Sequence, residues 1–350
     1  RSTGITSIIG PSGSGKSTLL RTLNRLNDHH PTFRCTGSVR YRGKDIYANG
    51  NGSVDVARLR QDIGMVFQDY AIFPHMSVED NIAFGLRNRD VSRQEIKSRV
   101  VDALETVQLS GLEKRMPNEL SGGQQQRVGL ARALVIQPKI LLMDEPLSNL
   151  DAKLRIELRE DIRKIQKKLG TTTIYVTHDQ EEALVISDRL CIMRSGQMVQ
   201  VGTPWEIYKK PADHFVASFV GNMNFFPWPF AGLDFHDLKV PTVIEDLPAK
   251  TNVGNESEKL IVGIRPEDVL ISNSTAKLKS QVIHLKGTIK NISFSGRKAQ
   301  IHVKLIDGNQ LVAHITRPGE RLLDEIGKTV QLELPHKSIM FFNNKSGLRR

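Results

Sequence analysis

Lys16 and Ser17 close a glycine-spaced run, Gly10-Pro11-Ser12-Gly13-Ser14-Gly15-Lys16-Ser17-Thr18. The run fills every fixed position of the phosphate-cradling pattern G-x-x-x-x-G-K-[ST]. Glycine tolerates the backbone turns that aim successive N–H groups at one anion. Lys16 can reach β- and γ-phosphates, and the Ser17 hydroxyl can ligate Mg²⁺. Three more groups follow in order. Leu120-Ser121-Gly122-Gly123-Gln124 opens a helix expected to run to about Gln137, a second helix start suited to an anion. Ile140 to Met143 is apolar and ends in Asp144-Glu145, which reads as a buried parallel strand with its carboxylate at the C-terminal edge. Open α/β sheets place ligands at that edge. Asp144 can hold Mg²⁺ through water, and Glu145 can orient an attacking water. Thr173 to Thr177 is another strand, ending in His178-Asp179, and His178 is expected to contact a γ-phosphate.

Together these residues resemble the ATP-binding-cassette (ABC) ATPases. The Ser121-Gly122-Gly123-Gln124 signature and the adjoining Asp144-Glu145 separate that family from other phosphate-loop NTPases. The resemblance covers about residues 3–220. It includes Gln68, which looks like the family's glutamine loop. The segment from Tyr70 to Ile82 is similar to importers that work with a solute-binding protein. The resemblance implies ATP and Mg²⁺ as cofactors. It implies Gly10 to Thr18, Gln68, Ser121 to Gln124, Asp144, Asp151 and His178 at the nucleotide, and Ser17, Gln68 and Asp144 at the metal. Lys16, Gln68, Glu145 and His178 are the implied catalytic set, and Asp151 helps couple two sites. Each motif occurs once, so the implied unit is a head-to-tail pair of chains. Residues 69–87 would contact two transmembrane permease subunits, with an extracytoplasmic solute-binding protein as an indirect partner. The expected location is the cytoplasmic face of the inner membrane, as a peripheral protein.

The elements that must position these residues read as an α/β pattern. Strands are expected at 3–9, 37–46, 62–67, 172–177 and 189–194, and helices at 16–27, 78–87, 92–109, 151–169 and 179–187. Residues 48–53 read as a turn-rich loop. Character changes near Gly221, where Asn224 to Phe230 is rich in aromatics and proline. Short β-like runs follow at 260–264, 282–292, 299–306, 310–315 and 329–334, which suggests a small β-barrel. Val262-Gly263-Ile264-Arg265-Pro266-Glu267-Asp268-Val269 resembles the accessory oligonucleotide-fold-like (TOBE) domain of sugar, polyamine and ferric-ion importer ATPases. The expected fold is therefore α/β: an ABC cassette of mixed sheet and helical subdomain over residues 1–220, then an all-β OB-like domain over 221–350.

Composition narrows the partners. The 350 residues carry a net charge of +11, with 25% charged and 39% hydrophobic residues, which is globular. Lysine and arginine number 18 against 13 acids from Gly221 onward, and 31 against 25 before it. Neither part holds a concentrated basic arm, so nucleic acid is not expected as a partner. No run approaches the ~18 apolar residues of a membrane span. The first residues do not read as a signal peptide. Two cysteines without metal spacing, Cys35 and Cys191, suit a reducing compartment. Two departures from the family stand out. Only nine residues precede Gly10, and none is the aromatic that stacks on adenine in family members. A piece of a longer protein, with weaker ATP affinity than the whole, is the expectation. Lys16 and Gln68 lie 52 positions apart, and Leu23 to Asp28 looks more like phosphate-importer ATPases. The two halves thus point to different solutes: sugar, polyamine or ferric ion against phosphate or phosphonate.

Overall fold

The structure is a computed structural model and describes residues 3–48, 54–228, 260–272, 282–343 and 346–349. Residues 49–53 of the turn-rich loop expected at 48–53, and the end of the aromatic stretch at 229–230, lie outside the described residues. The chain forms two compact units, one ending at Ile207 and one beginning at Tyr208. The division falls upstream of the change in character at Gly221.

The first unit contains β1 (Ile5–Ile9), α1 (Lys16–Thr22), β2 (Arg40–Tyr41), β3 (Lys44–Asp45), α2 (Val56–Asp62), β4 (Ile63–Val66), α3 (Val78–Arg87), α4 (Arg93–Thr106) and α5 (Gly122–Leu134). It continues with β5 (Ile140–Asp144), α6 (Ala152–Leu169), β6 (Thr172–Val176), α7 (Gln180–Ile186), β7 (Arg189–Arg194) and β8 (Gln197–Gly202). Six strands form one sheet in the order β4-β5-β6-β1-β7-β8. All neighbours are parallel except β7 with β8. The apolar runs are buried on both faces, as a covered parallel sheet requires. Val176 of β6 is opposite both Asp144 of β5 and Ile8 of β1. That register brings the ends of three strands level, so the loops after Ile9, Asp144 and Val176 emerge side by side. α3, α4 and α5 pack on one another as a helical group, with Ile82, Leu86, Leu104 and Leu130 in its core.

Three local expectations fail for identifiable reasons. The helix expected over 16–27 stops at Thr22, and Leu26–His29 is a separate 3-10 turn. Asn24 Oδ1 accepts the Leu26 N–H at 3.2 Å, and Arg25 turns left-handed at φ 59°. An Asn side chain competing for the backbone ends helices in this way. The strand expected over 37–46 is only the short hairpin β2–β3, turned by Arg42 and Gly43, both at positive φ. The signature helix also stops short of Gln137, which is left-handed at φ 51°.

α8 (Pro204–Lys209) contains the division point. The second unit holds α9 (His214–Phe219), β9 (Asn224–Trp228), β10 (Leu260–Ile264), β11 (Leu270–Ser272), β12 (Val282–Phe294), β13 (Lys298–Leu305), β14 (Gln310–Thr316), β15 (Thr329–Pro335) and β16 (Met340–Asn343). One sheet runs β11-β15-β12-β13-β14 and another β16-β10-β9. Alternating residues of both sheets, among them Phe226, Val262, Ile301 and Leu332, share one core. Arg265 is completely buried in this unit. Its guanidinium donates to the carbonyls of Ala217 (2.8 Å), Asn222 (3.0 Å) and Tyr208 (3.1 Å), and stands 4.1 Å from the centre of the Tyr208 ring. Gly221 takes φ 87°, and a Cβ there would meet Arg265 Nη1 at 3.1 Å. The arginine of the Val262–Val269 motif is therefore a peg that fastens α9 and its flanks to β10.

Candidate nucleotide site

The loop between β1 and α1 is built by its glycines. Gly13 and Gly15 have φ of 77° and 90°, which side chains with a Cβ rarely adopt. A Cβ on Gly10 would lie 2.2 Å from the Met193 carbonyl oxygen of β7, so the loop root touches the neighbouring strand. At Gly13 nothing lies within 4 Å, and that flank is open. Pro11, Ser12, Gly13 and Thr18 are exposed. Lys16 is buried and turned back along the loop, donating to the Gly10 (3.0 Å) and Pro11 (3.1 Å) carbonyls. The Ser14 hydroxyl is buried without a hydrogen-bond partner. A lysine borrowed by carbonyls and an unanswered hydroxyl are what a phosphate would satisfy.

Ser17 and Asp144, 127 positions apart in sequence, meet here. Ser17 Oγ donates to Asp144 Oδ1 at 2.7 Å. Asp144 Oδ2 accepts from Arg21 Nη2 at 3.0 Å and Nε at 3.2 Å. Among the described residues no group of three or more His, Cys, Asp or Glu could hold a metal by itself. The protein's donors are two hard oxygens, and Mg²⁺ in phosphate-transfer sites is held by one or two such groups plus phosphate and water. The residues fit that ion.

Glu145 follows Asp144 with φ 47°, a left-handed conformation that costs a non-glycine residue about 1–3 kcal/mol. The turn is held by Glu145 N–H donating to Val176 O at 2.9 Å and by Ser148 Oγ donating to Glu145 O at 2.9 Å. It directs the carboxylate to His178, whose Nδ1 stands 2.9 Å from Glu145 Oε2. The pair is 33 positions apart in sequence and adjacent because β5 and β6 are neighbours. Behind His178, Thr177 Oγ1 donates to Glu182 Oε2 (2.9 Å) and accepts the Asp179 N–H (3.0 Å). Glu182 is buried, and that burial pushes its carboxyl up despite hydrogen bonds from Tyr175 and Thr177 that favour the ionised form. Asp179 caps α7 and is bound by Arg155 Nη1 at 3.2 Å; Arg155 Nη2 reaches the Leu150 carbonyl at 3.0 Å. The His178 turn is thus tied to the turn that ends at Asp151.

Other expected residues are placed elsewhere. Gln68 is exposed just beyond β4, and its carbonyl accepts from Asn149 Nδ2 at 3.0 Å. Among the described residues no hydrogen bond joins its side chain to Ser17, Asp144 or Glu145. Asp151 caps α6 through the Leu154 N–H at 3.0 Å. Ser121 and Gln124 form a reciprocal capping box at the start of α5. A Cβ on Gly123 would fall 2.7 Å from Leu154 Cδ2, and one on Gly122 3.3 Å from Leu150 Cδ2. The signature therefore packs on the start of α6. Among the described residues no hydrogen bond joins it to the phosphate loop of the same chain.

Sequence reasoning did not single out Arg21, Asn81, Arg132, Arg155 or Glu182. Asn81 is fully buried; its side chain accepts from Phe73 N at 2.8 Å and donates to the carbonyls of Phe73, Met76 and Ser77. Arg132 donates to Ala71 O at 2.6 Å, holding a bend in which Tyr70 and Ala71 are both left-handed. A buried side chain facing several carbonyls leaves no periodic trace in sequence, so no pattern marks it.

Comparison with known proteins supplies the family. The ABC transporter family profile matches residues 1–148, and the TOBE domain profile matches 262–342. The Fe(3+) ions import ATP-binding protein of Fusobacterium nucleatum is 45% identical over 270 residues, 77% of this chain and 69% of that protein. The spermidine/putrescine import ATP-binding protein of Mesorhizobium japonicum is 42% identical, covering 86% and 78% of the two chains. The sn-glycerol-3-phosphate import ATP-binding protein of Rhodopseudomonas palustris is 41% identical, covering 91% and 80%. Among solved structures, cbiO1 from Clostridium perfringens, part of an ABC transporter complex, superposes with a TM-score of 0.54 at 32% identity, over 60% of this chain and 81% of that one. Among the described residues no helix is long and apolar enough to cross a membrane. With its glycine loop, its paired Glu145 and His178 and these relatives, the chain belongs to the ATP-binding proteins of ABC transporters, carries a TOBE domain, and is an ATPase.

Proposed function

We propose that this protein is the ATP-hydrolysing subunit of a binding-protein-dependent importer, peripheral to the cytoplasmic face of the membrane. The observation that carries the reading is the Glu145–His178 pair, set at the strand ends beside the phosphate loop. The importer assignment is supported by relatives that are named for ferric-ion, polyamine and glycerol-phosphate import. The solute belongs to the sugar, polyamine, ferric-ion or phosphate class.

In this reading the loop amides and Lys16 hold the ATP phosphates, and Lys16 leaves the Gly10 and Pro11 carbonyls for them. Ser17, Asp144 and Gln68 would hold Mg²⁺, which neutralises phosphate charge when bound. Glu145 orients and deprotonates the attacking water, with His178 at the γ-phosphate; positioning and charge stabilisation carry most of phosphoryl transfer. The signature, Ser121 to Gln124, is separate from the phosphate loop of its own chain, so it serves the nucleotide of a second copy in a head-to-tail dimer. Asp151 couples the two sites at that junction. ATP closes the pair and hydrolysis reopens it. Residues 69–87, braced by Asn81 and Arg132, meet two permease subunits, and a solute-binding protein acts through them.

The test is capture of Glu145→Gln protein from gently solubilised membranes with ATP, followed by mass spectrometry. Multi-span membrane proteins and an extracytoplasmic binding protein are expected, with turnover lost and a stable dimer formed. Full turnover removes Glu145 from its role. Recovery of ribosomal or DNA-repair factors without membrane subunits refutes the importer.

A further inference from the structure

Arg21 occupies the carboxylate that the metal needs. Asp144 is buried, and both its oxygens are engaged, Oδ1 by the Ser17 hydroxyl and Oδ2 by two nitrogens of Arg21. The arginine itself is less confined, with 43% of its side chain exposed against 4% for that of Asp144. Beside it opens a cavity of about 260 Å³, lined by Ser17, Thr18, Arg21, Asn27, His30, Thr32 and Phe33. The side chain therefore has room to leave. A guanidinium forked on one carboxylate oxygen satisfies the buried charge that would otherwise stand unpaired. A divalent cation arriving between Ser17 and Asp144 meets that positive charge within a few ångströms and is repelled by it.

We infer that Arg21 is an internal counter-cation for Asp144, which holds the carboxylate in place before the metal arrives and is displaced by the metal, so that it lowers the site's affinity for Mg²⁺. This rests on the reading that Ser17 and Asp144 bind Mg²⁺. Arg21 is a positioning residue, since it acts through Asp144. Its effect belongs to the metal and not to the nucleotide. Removing it should leave metal-free ATP binding in place and increase the extra affinity that Mg²⁺ confers. Exposed and half-exposed ion pairs are modest in strength, so the expected increase is about two- to fivefold.

The experiment measures ATP affinity by competition with a fluorescent nucleotide, once in EDTA and once across a Mg²⁺ titration. The whole chain is used as wild type, Arg21→Met and Arg21→Lys. Methionine keeps much of the apolar stem and removes the charge. The expected result is an unchanged affinity in EDTA for all three. The Mg²⁺ concentration at half effect should fall about two- to fivefold in Arg21→Met and less in Arg21→Lys, which keeps the charge without the fork. An unchanged or higher half-effect concentration in Arg21→Met overturns the inference. So does an equal shift in EDTA and in Mg²⁺, which would make Arg21 a nucleotide ligand. If Mg²⁺ has no effect on the wild type, the metal site itself is wrong and the inference falls with it. If only the variant fails, the metal site stands without Arg21's part in it.

Discussion

Replacing Arg265 with methionine should loosen the second unit far more than its place in a short motif suggests. The side chain is completely buried, so its charge is balanced by the groups it touches. Three carbonyls, those of Ala217, Asn222 and Tyr208, accept from it at 2.8–3.1 Å. Burial draws its pKa down, yet an arginine keeps its proton in proteins. Methionine fills much of the stem's volume and answers none of the three acceptors. Each unanswered buried acceptor costs about 1–3 kcal/mol. Three such acceptors together cost about 3–9 kcal/mol, and relief from burying the charge offsets part of that sum, which leaves about 3–5 kcal/mol. At about 1.4 kcal/mol per tenfold, local opening should become roughly 10²- to 4 × 10³-fold more frequent. Native-state hydrogen exchange with mass spectrometry reads this directly on Leu260–Ile264 and His214–Phe219, the elements that Arg265 joins. Arg265→Lys keeps a charge but cannot serve three carbonyls at once, and should fall between. Protection in Arg265→Met within about threefold of wild type would show that the three bonds contribute little, and the peg would be ornamental.

Two shorter predictions concern the first unit. Gly10→Ala would put a Cβ 2.2 Å from the Met193 carbonyl, a backbone atom inside the sheet that cannot yield. ATP binding measured by calorimetry should be lost while the far-ultraviolet circular dichroism stays near wild type; retained affinity would mean the loop root can shift freely. Asp188 is held below the usual carboxylate range by Arg163 first and, against some burial, by the Ile5 N–H. A depressed folded pKa gives stability that is present above the unfolded carboxylate value of about 3.9 and lost as pH falls through the folded value. The gap in thermal midpoint between wild type and Asp188→Asn should therefore be full at pH 7, begin to narrow below about pH 4 and close only below the depressed folded value; a gap that does not narrow as pH falls below about 4 would assign the effect to packing.

Much of the site was legible because its chemistry is local. Gly10 to Thr18 announces a phosphate loop through backbone freedom and spacing, and those residues do build a tight loop between β1 and α1. Ser121, Asp151 and Asp179 cap helices three residues on, a range that sequence reasoning covers. Asn24 shows the limit even at short range. Its side chain ended α1 where propensity favoured continuation, since a hydrogen bond to the Leu26 N–H outweighed the tenths of a kcal/mol that propensity supplies.

The sequence by itself determined which reactive groups are on offer: a lysine and a hydroxyl that close a glycine-spaced loop, two adjoining acids, and a histidine after a strand. It also determined the α/β then all-β succession, because hydrophobic periodicity is written along the chain. Only the tertiary structure decided which of these groups meet. β1 inserts between β6 and β7, and β5 lies beside β6, an order not given by succession along the chain. That order sets Asp144 against Ser17 and Arg21, and Glu145 against His178. It also leaves the Ser121–Gln124 signature packed on Leu150 and Leu154 instead of on the phosphate loop. The physical reason is range. Caps and turns are fixed by hydrogen bonds among residues a few positions apart, while a buried carboxylate takes its partner from whichever strand and helix the packing of the whole core brings alongside.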